Sequence, residues 1–466
     1  PLLRRQLVPG HRSGDRRPYD SGRDRAQGPA LTDVTAPTDR VRPGPTGLAA
    51  RFIASDQGRG FRAFRHPPFR NLYVGFLVQQ TGFWLSHLTL QGYVDELSDG
   101  DTFAISVLFV ALFVPALVVA PFAGVVADRH ERRRVMMVAY AGMAVCATAL
   151  AMLALVVDDP PLWSVYGLAL ALGTTFSLLG PATGALVANT VGPDDLPSAI
   201  SLQAAAANLT RVAGPLVAAP LIAAEVFGVS FAAFAATCLF AIIVLTRVRV
   251  APHDREADDG AVLTRIRDGL AHARERRPAL LAIATVGVTS VFGVAHVAVI
   301  PSFAREVLDR DAGDFAWIVA GTGVGAIVGA LATGYSRATP SLRRGAAALA
   351  LYGASLVGFA LSGSLAFAIG WQVAIGFFYF ATMTTLQTLV QQVVTDSMRG
   401  RVMSLFGIAW GGIVWVGALL FGWVADDGFD LGVRPTLLLA AAVLLAWGTT
   451  VAVLARDAPT GDDYLE

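Results

Sequence analysis

From Asn71 onward the chain alternates long apolar runs with short polar loops. Twelve such runs occupy 71–94, 102–127, 135–157, 162–189, 197–224, 229–247, 279–300, 315–336, 345–363, 365–392, 402–424 and 435–455. Each is long enough to cross about 30 Å of hydrocarbon as a helix, so the pattern predicts an all-α membrane protein with twelve transmembrane helices. Residues 1–66 lack this pattern: they are rich in Arg, Pro, Gly and Asp without apolar periodicity, and read as a disordered tail. No charged block leading into a single apolar block appears there, so a cytoplasmic extension is expected rather than a signal peptide.

The connection 248–278 divides the segments into halves of six, 67–247 and 279–456, leaving 457–466 as a polar C-terminal tail. Within that connection Val262, Leu263, Ile266 and Leu270 recur at helical spacing among Arg265, Arg267, Arg274, Arg276 and Arg277. Apolar and basic faces separate, which predicts an amphipathic helix on the inner membrane surface. The halves also repeat one another. Gly334, Arg343 and Arg344 stand 210 residues after Gly124, Arg133 and Arg134, although the acid Asp128 is matched by Ala338. Repeated six-helix halves place a substrate site at their interface, near the bilayer midplane.

Composition narrows the chemistry. Hydrophobic residues make up 54% of the chain and charged residues 15%, more apolar surface than a soluble domain of this size buries. All 36 basic residues are arginine; with no lysine there is no Walker A loop, so a P-loop ATPase within the chain is excluded. Cys146 and Cys238 lie inside apolar runs and no Cys-x-x-Cys occurs. No metal site, cofactor or nucleic-acid partner is expected, nor any enzymatic activity, since no nucleophile, metal or nucleotide constellation stands out. The loops after segments 2, 6, 8 and 10 hold seventeen arginines, and those on the other side hold Arg305, Arg310 and Arg434 with many carboxylates. That asymmetry predicts a multi-pass inner (plasma) membrane protein with both termini cytoplasmic.

Gly124, Asp128, Arg129 and Arg132 between segments 2 and 3 have the spacing of the signature loop of the major facilitator superfamily, which the chain resembles. Phe69-Arg70-Asn71-Leu72-Tyr73, Asp194-Asp195-Leu196-Pro197, Asn208-x-x-Arg211-x-x-Gly214-Pro215, Pro301-x-Phe303-Ala304-Arg305-Glu306 and Arg399-Gly400-Arg401-Val402-Met403-Ser404 further resemble its enterobactin-exporter-like and macrolide-efflux-like subgroup. The resemblance implies two pseudo-symmetric six-helix halves. It also implies that the Gly124, Asp128, Arg132 cluster, with Arg129, latches the cytoplasmic side against segment 11. Gly214-Pro215 resembles the helix-bending pair of antiporters in segment 5, followed here by Ala218-Ala219 where the usual pattern has Gly-Gly, and a bend or a close contact is expected there. Gly321, Gly325 and Gly329 form a small-residue ridge expected to serve sliding between the halves.

Polar groups inside apolar segments complete the reading. Arg211 lies deepest, with Asn208 one turn earlier; Gln79, Gln80 and Gln91 lie in segment 1 and Gln387 and Gln391 in segment 10, as candidates to line a substrate cavity. Where the subgroup carries an acid in segment 1, this chain has Phe83. His87 and His296, at equivalent places in the two halves, are candidate proton carriers, with Asp95 and Glu96 as alternatives. Packing histidines and solvated loop acids are the competing assignments. The expectation is a monomeric secondary transporter that exports a small amphipathic compound, such as a drug, macrolide or siderophore, by alternating access with proton antiport. An uncoupled facilitator or importer, and a transport-inactive sensor or scaffold, are the alternatives.

Overall fold

The computed structural model describes residues 56–248, 262–310, 313–335 and 339–455, and among these it contains helices and turns but no strand. The polar N-terminal region enters this description as a 3-10 helix, Asp56–Arg65, ten residues that the sequence pattern assigned to the tail. Ser198 anchors it by accepting a hydrogen bond from the Ala63 amide at 3.1 Å and donating to the Gly60 carbonyl at 2.8 Å. Phe64 adds an apolar contact by packing on Phe69 and Tyr73 of α1, so this short helix is held by tertiary contacts that a ten-residue segment does not announce in sequence.

Six long helices follow: α1 (Pro67–Leu97), α2 (Thr102–Arg129), α3 (Arg132–Val156), α4 (Leu162–Ser177, resuming as Leu179–Ala188), α5 (Leu196–Ala223) and α6 (Phe227–Thr246). The connection contributes α7 (Val262–Glu275). Then come α8 (Arg277–Val288), α9 (Asp314–Tyr335), α10 (Leu342–Ala360), α11 (Leu365–Val393), α12 (Asp396–Gly407) and α13 (Val433–Leu454). α8 continues through the π turn Thr289–Gly293 and a run of short turns to Val307. α12 continues likewise through Ile408–Gly412, Val414–Gly422 and Trp423–Asp427. Among the described residues ten helices are long and apolar enough to cross a membrane, as expected of an integral membrane protein. α1 and α10 fall short of that measure, α1 because of Arg70, Asn71, Gln79, Gln80, His87 and Gln91, and α10 because it begins with Arg343 and Arg344.

Packing repeats along the chain. α1 lies against α5 and α6, α2 against α4, and α3 against α4 and α6; likewise α9 lies against α11, and α10 against α11 and α13. The contacts that cross from the first set to the second are chiefly α5 with α9 and α2 with the Ile408–Gly412, Val414–Gly422 and Trp423–Asp427 stretches of α12, joined by smaller ones from α2 to Val294–Val299 and from α1 to Ile300–Ser302. The buried core is unevenly distributed. One cluster joins residues of α1–α6 to residues of the second set such as Ala298, Phe303, Phe315, Ala418 and Leu437. A second cluster, from Ala273 and Ala279 through Val390 and Val402 to Val451, belongs to residues 273–455 alone. Its members gather at the end of the bundle where α8 and α12 begin and α11 and α13 finish.

α7, the amphipathic helix expected in the connection, docks on the start of α12. Gly269 faces the Arg401 backbone, Asp268 pairs with the Arg401 guanidinium at 2.9 Å, and Ala273 is fully buried. The glycine ridge is also redirected. A Cβ at Gly321, Gly325 or Gly329 would meet the carbonyls of Ile369, Val373 or Phe377 in α11, so the ridge packs α9 on α11 and not on the first six helices. Gly323, on another face of α9, makes the approach to α5 at Arg211 and Val212. An i, i+4 glycine pattern signals close packing but carries no information about which neighbour is packed.

Candidate functional site

The bundle has a carboxylate end, where α1 passes into α2, and an arginine end, where α2 passes into α3. At the carboxylate end the turn residues Asp99 and Gly100 have φ of 52° and 86°, and the Asp101 side chain caps α2 through the Phe103 amide at 2.7 Å. Gly100 is required twice: its φ favours glycine, and a Cβ would sit 2.3 Å from the Arg305 guanidinium carbon. Arg305, near the end of α8, donates to Asp95 at 2.5 Å and to the Gly100 carbonyl at 2.5 Å. Beside it Thr102 donates its hydroxyl to Ser302 at 2.8 Å and its amide to Asp426 at 2.9 Å. Four hydrogen bonds thus join α1 and α2 to α8 and α12 at this end.

Asp95 is therefore not a solvated loop acid but the ion-pair partner of Arg305. Glu96, beyond the apolar run 71–94, is exposed, and partial burial, followed by Glu225 and Asp95, pushes its carboxyl above the ordinary range. The sequence reading did not assign this lock. Its signal was an arginine in a set of loops otherwise dominated by carboxylates.

At the arginine end Gly124 and Asp128 belong to α2, and beyond that placement they fall outside the described residues. Arg129 is exposed. Arg132 donates to the Ala185 carbonyl of α4 at 3.4 Å, and Arg133 to Glu131 at 3.1 Å and to the Val248 carbonyl at 3.2 Å. Arg134 pairs with Glu131 at 2.7 Å. His66 and Asp195 join α1 to the start of α5 at 2.9 Å.

The two histidines lie in unlike surroundings. His87 is buried among Phe83, Trp84, Phe109 and Phe113, with ring centroids 5.6 to 6.2 Å away, and makes no described hydrogen bond. His296 is bonded at both nitrogens: Nδ1 lies 2.5 Å from the Gly293 carbonyl and Nε2 lies 3.0 Å from the Gln372 amide nitrogen. Gln372 in turn accepts from Thr322 at 2.7 Å. His296 is thus the centre of a network tying α8, α9 and α11, whereas His87 sits in an aromatic box. The structure places them in separate clusters.

Midway along α5, Gly214 lets the helix close on α1, since a Cβ there would lie 2.3 Å from the Trp84 Cβ. α5 is one continuous helix through Pro215 and Pro220, and the close contact expected here is present at Gly214. One turn before Gly214, the half-buried Arg211 lays its guanidinium over the Trp84 ring, 5.6 Å from the centroid. Asn208 donates to the Ala204 carbonyl of its own helix at 3.0 Å. Gln79 and Gln91 are fully buried, with neither amide atom partnered among the described residues. Gln80 is half-buried, and Gln387 and Gln391 are exposed. Arg211 meets α1 at Trp84, Asn208 lies one turn before Arg211 on α5 and Gln80 one turn before Trp84 on α1, while Gln387 and Gln391 lie on α11. Among the described residues no group of His, Cys, Asp and Glu is arranged to hold a metal.

Residues 59–463 match the family described as transmembrane secretion effector. The uncharacterized MFS-type transporter YfiS of Bacillus subtilis (strain 168) is 25% identical over 390 residues, 76% of this chain and 90% of that protein. Among solved structures, a bacterial homologue of the human lysosomal transporter Spinster, inward-facing and unoccupied, superposes with a TM-score of 0.64 at 10% identity, over 84% of this chain and 97% of that one. A POT family transporter in complex with 5-aminolevulinic acid gives 0.66 at 11%, over 84% and 96%. The nucleoside transporter NupG gives 0.63 at 12%, over 84% and 99%. At these identities the structures share the fold.

Proposed function

The chain belongs to the transmembrane secretion effector family of major facilitator transporters, and from that premise we propose that it exports a small amphipathic compound by alternating access, coupled to proton entry. Twelve membrane-crossing helices in two six-helix halves, related by the repeated packing of α1–α6 and of α8–α13, would rock about a central site. The arginine end is the cytoplasmic one in this reading, and the membrane is the plasma membrane.

The observation that carries the proposal is the uneven join between the two sets of helices. At the carboxylate end they share a continuous core and four hydrogen bonds, while the second set has a core of its own at the arginine end. Such an asymmetry supports a reading in which this is one state of an alternating-access cycle, joined at the carboxylate end. The direction of transport draws on the family's description, and drugs, macrolides and siderophores are the compounds to test.

His87 is the better-placed proton carrier, because its ring has no hydrogen-bond partner among the described residues while both nitrogens of His296 are engaged. A second reading, an uncoupled facilitator, draws on Phe83, which stacks on Phe176 at 4.2 Å where related exporters carry an acid. The test is purified protein in liposomes with an imposed pH gradient and an internal pH dye, challenged with macrolides, dyes and siderophores. Substrate-dependent proton movement establishes antiport. Substrate equilibration without proton movement selects the facilitator, and binding without flux overturns transport altogether.

A further inference from the structure

Arg211 is a charged side chain in the middle of a membrane-crossing helix, and its described interactions reduce to one: the face of Trp84. A guanidinium offers five donors, and burying it without an anion or a set of carbonyls is costly in a low-dielectric setting. Most other arginines with a described role here are satisfied that way. Arg305 has Asp95 and Gly100, Arg401 has Asp268, and Arg434 has the carbonyls of Ala360 and Ser362. Arg211 has no carboxylate and no carbonyl acceptor among the described residues.

Its position is nevertheless closely fixed. Gly214 brings α5 into backbone contact with α1 at Trp84 and Leu85, and Gly323 brings α9 onto the backbone of Arg211 and Val212 from the other set of helices. The guanidinium is thus held at the crossing of α1, α5 and α9, where the two halves meet. The indole below it supplies the negative face of its quadrupole and an apolar wall, while the donor edges stay unused. On the same side of α5, Asn208 lies one turn towards the arginine end, followed by the exposed Ala204 and Ser201. Gln80 occupies the matching turn of α1 before Trp84.

We propose that Arg211, stacked on Trp84, is the binding site for an anionic group of the transported compound, so that the compound is an amphipathic anion with an aromatic or otherwise flat apolar body. This deepens the export reading and rests on it. A planar guanidinium binds a carboxylate, sulfonate or phosphate ester through paired hydrogen bonds, and the ligand's body lies along Trp84. Because the backbone of Arg211 touches both halves, a bound anion neutralises the charge at the seam that must move during the cycle.

The experiment uses the full chain in detergent and a matched probe series: 1-pyrenebutyrate, 1-pyrenebutanol and 1-pyrenebutylamine, read by thermal shift and pyrene fluorescence. The expected result is binding of the carboxylate at least about tenfold tighter than the alcohol, as one added charge-assisted contact implies. Arg211→Gln should erase that preference while leaving alcohol binding unchanged, and Arg211→Lys should retain part of it. Trp84→Ala should weaken all three probes. Preference for the alcohol or the amine, no binding of the carboxylate, or an anion preference that survives in Arg211→Gln overturns the proposal. Should Arg211→Gln be recovered aggregated, Arg211→Met, which also removes the charge, decides on the same ratio. The probes are then taken into liposomes. Arg211-dependent binding without flux sinks the transporter reading and spares the site; flux of the amine with no Arg211 dependence does the reverse.

Discussion

Breaking the Arg305 lock should move the protein toward the state open at its carboxylate end. Arg305→Gln removes the charge that holds Asp95 and the two donors that hold Asp95 and Gly100. The pair is only partly buried, with side chains 37% and 12% exposed, so solvent screening limits its worth to about 1 kcal/mol. The bond to the Gly100 carbonyl adds about 1 kcal/mol. A total near 2 kcal/mol shifts a two-state equilibrium by about thirtyfold. Thr102 with Ser302 and Asp426 still holds that end, so the outer-open population rises without the closed one vanishing. Nitroxide labels at Glu96→Cys and Leu431→Cys, both exposed and on opposite sides of the seam, report the gap in a background with Cys146 and Cys238 replaced by Ala. A second, longer distance should grow in Arg305→Gln and to a lesser extent in Asp95→Asn, which leaves the bond to the Gly100 carbonyl in place. The double variant should add little to Arg305→Gln, since that change already removes the interaction with Asp95. An unchanged distance distribution in Arg305→Gln, or full additivity in the double variant, would refute the reasoning.

Three further outcomes are expected. Asp128→Asn should cut flux by about tenfold or more while leaving membrane insertion intact, and unchanged flux in liposomes would remove the latch. His87→Gln, which keeps the aromatic box filled with a side chain of similar size, should uncouple proton movement from substrate with little loss of thermal stability. His296→Ala should instead cost about 1–3 kcal/mol by stranding the buried Gln372, and the two phenotypes exchanged would reverse the assignment. Gly325→Val should cost about 3 kcal/mol or prevent folding, because the Val373 carbonyl lies 1.9 Å from the position of a new Cβ. Gly407→Ala, with nothing within 4 Å, should be tolerated; equal yields of monodisperse protein from both would contradict the packing described.

The helices were legible because hydrocarbon imposes a length on every crossing segment, and arginine placement marked which loops belong together. Partner choice was less legible. Gly321, Gly325 and Gly329 announced a close contact, but only the three-dimensional arrangement assigns it to α11, while the inter-half approach falls to Gly323 on a different face. The equal spacing of His87 and His296 suggested matched roles, yet neighbours decide what an imidazole does, and Gln372 and Gly293 engage one ring while four aromatic residues enclose the other. Arg305 and Asp95 stand 210 residues apart, the repeat offset itself. Read with their opposite charges, that offset was a signal in the sequence. Asp56–Arg65 carried only Phe61 and Phe64 one turn apart, too little to predict a helix, and its order comes from Ser198 and from Phe64 packing on Phe69 and Tyr73.

The docking of α7 on Arg401 has a consequence for how the chain can be divided. Because Asp268, Gly269 and Ala273 fasten this helix to the start of α12, the connecting segment is not shared evenly: its helical part is cargo of the C-terminal fragment. A gene cut between the codons for Val248 and Val262 yields two polypeptides, each keeping all of its own docking contacts. A cut after Glu275 would strand α7 on the wrong piece and leave Arg401 without its acid. Fragment complementation, domain shuffling between relatives and the insertion of reporter proteins therefore have a natural breakpoint on the N-terminal side of α7.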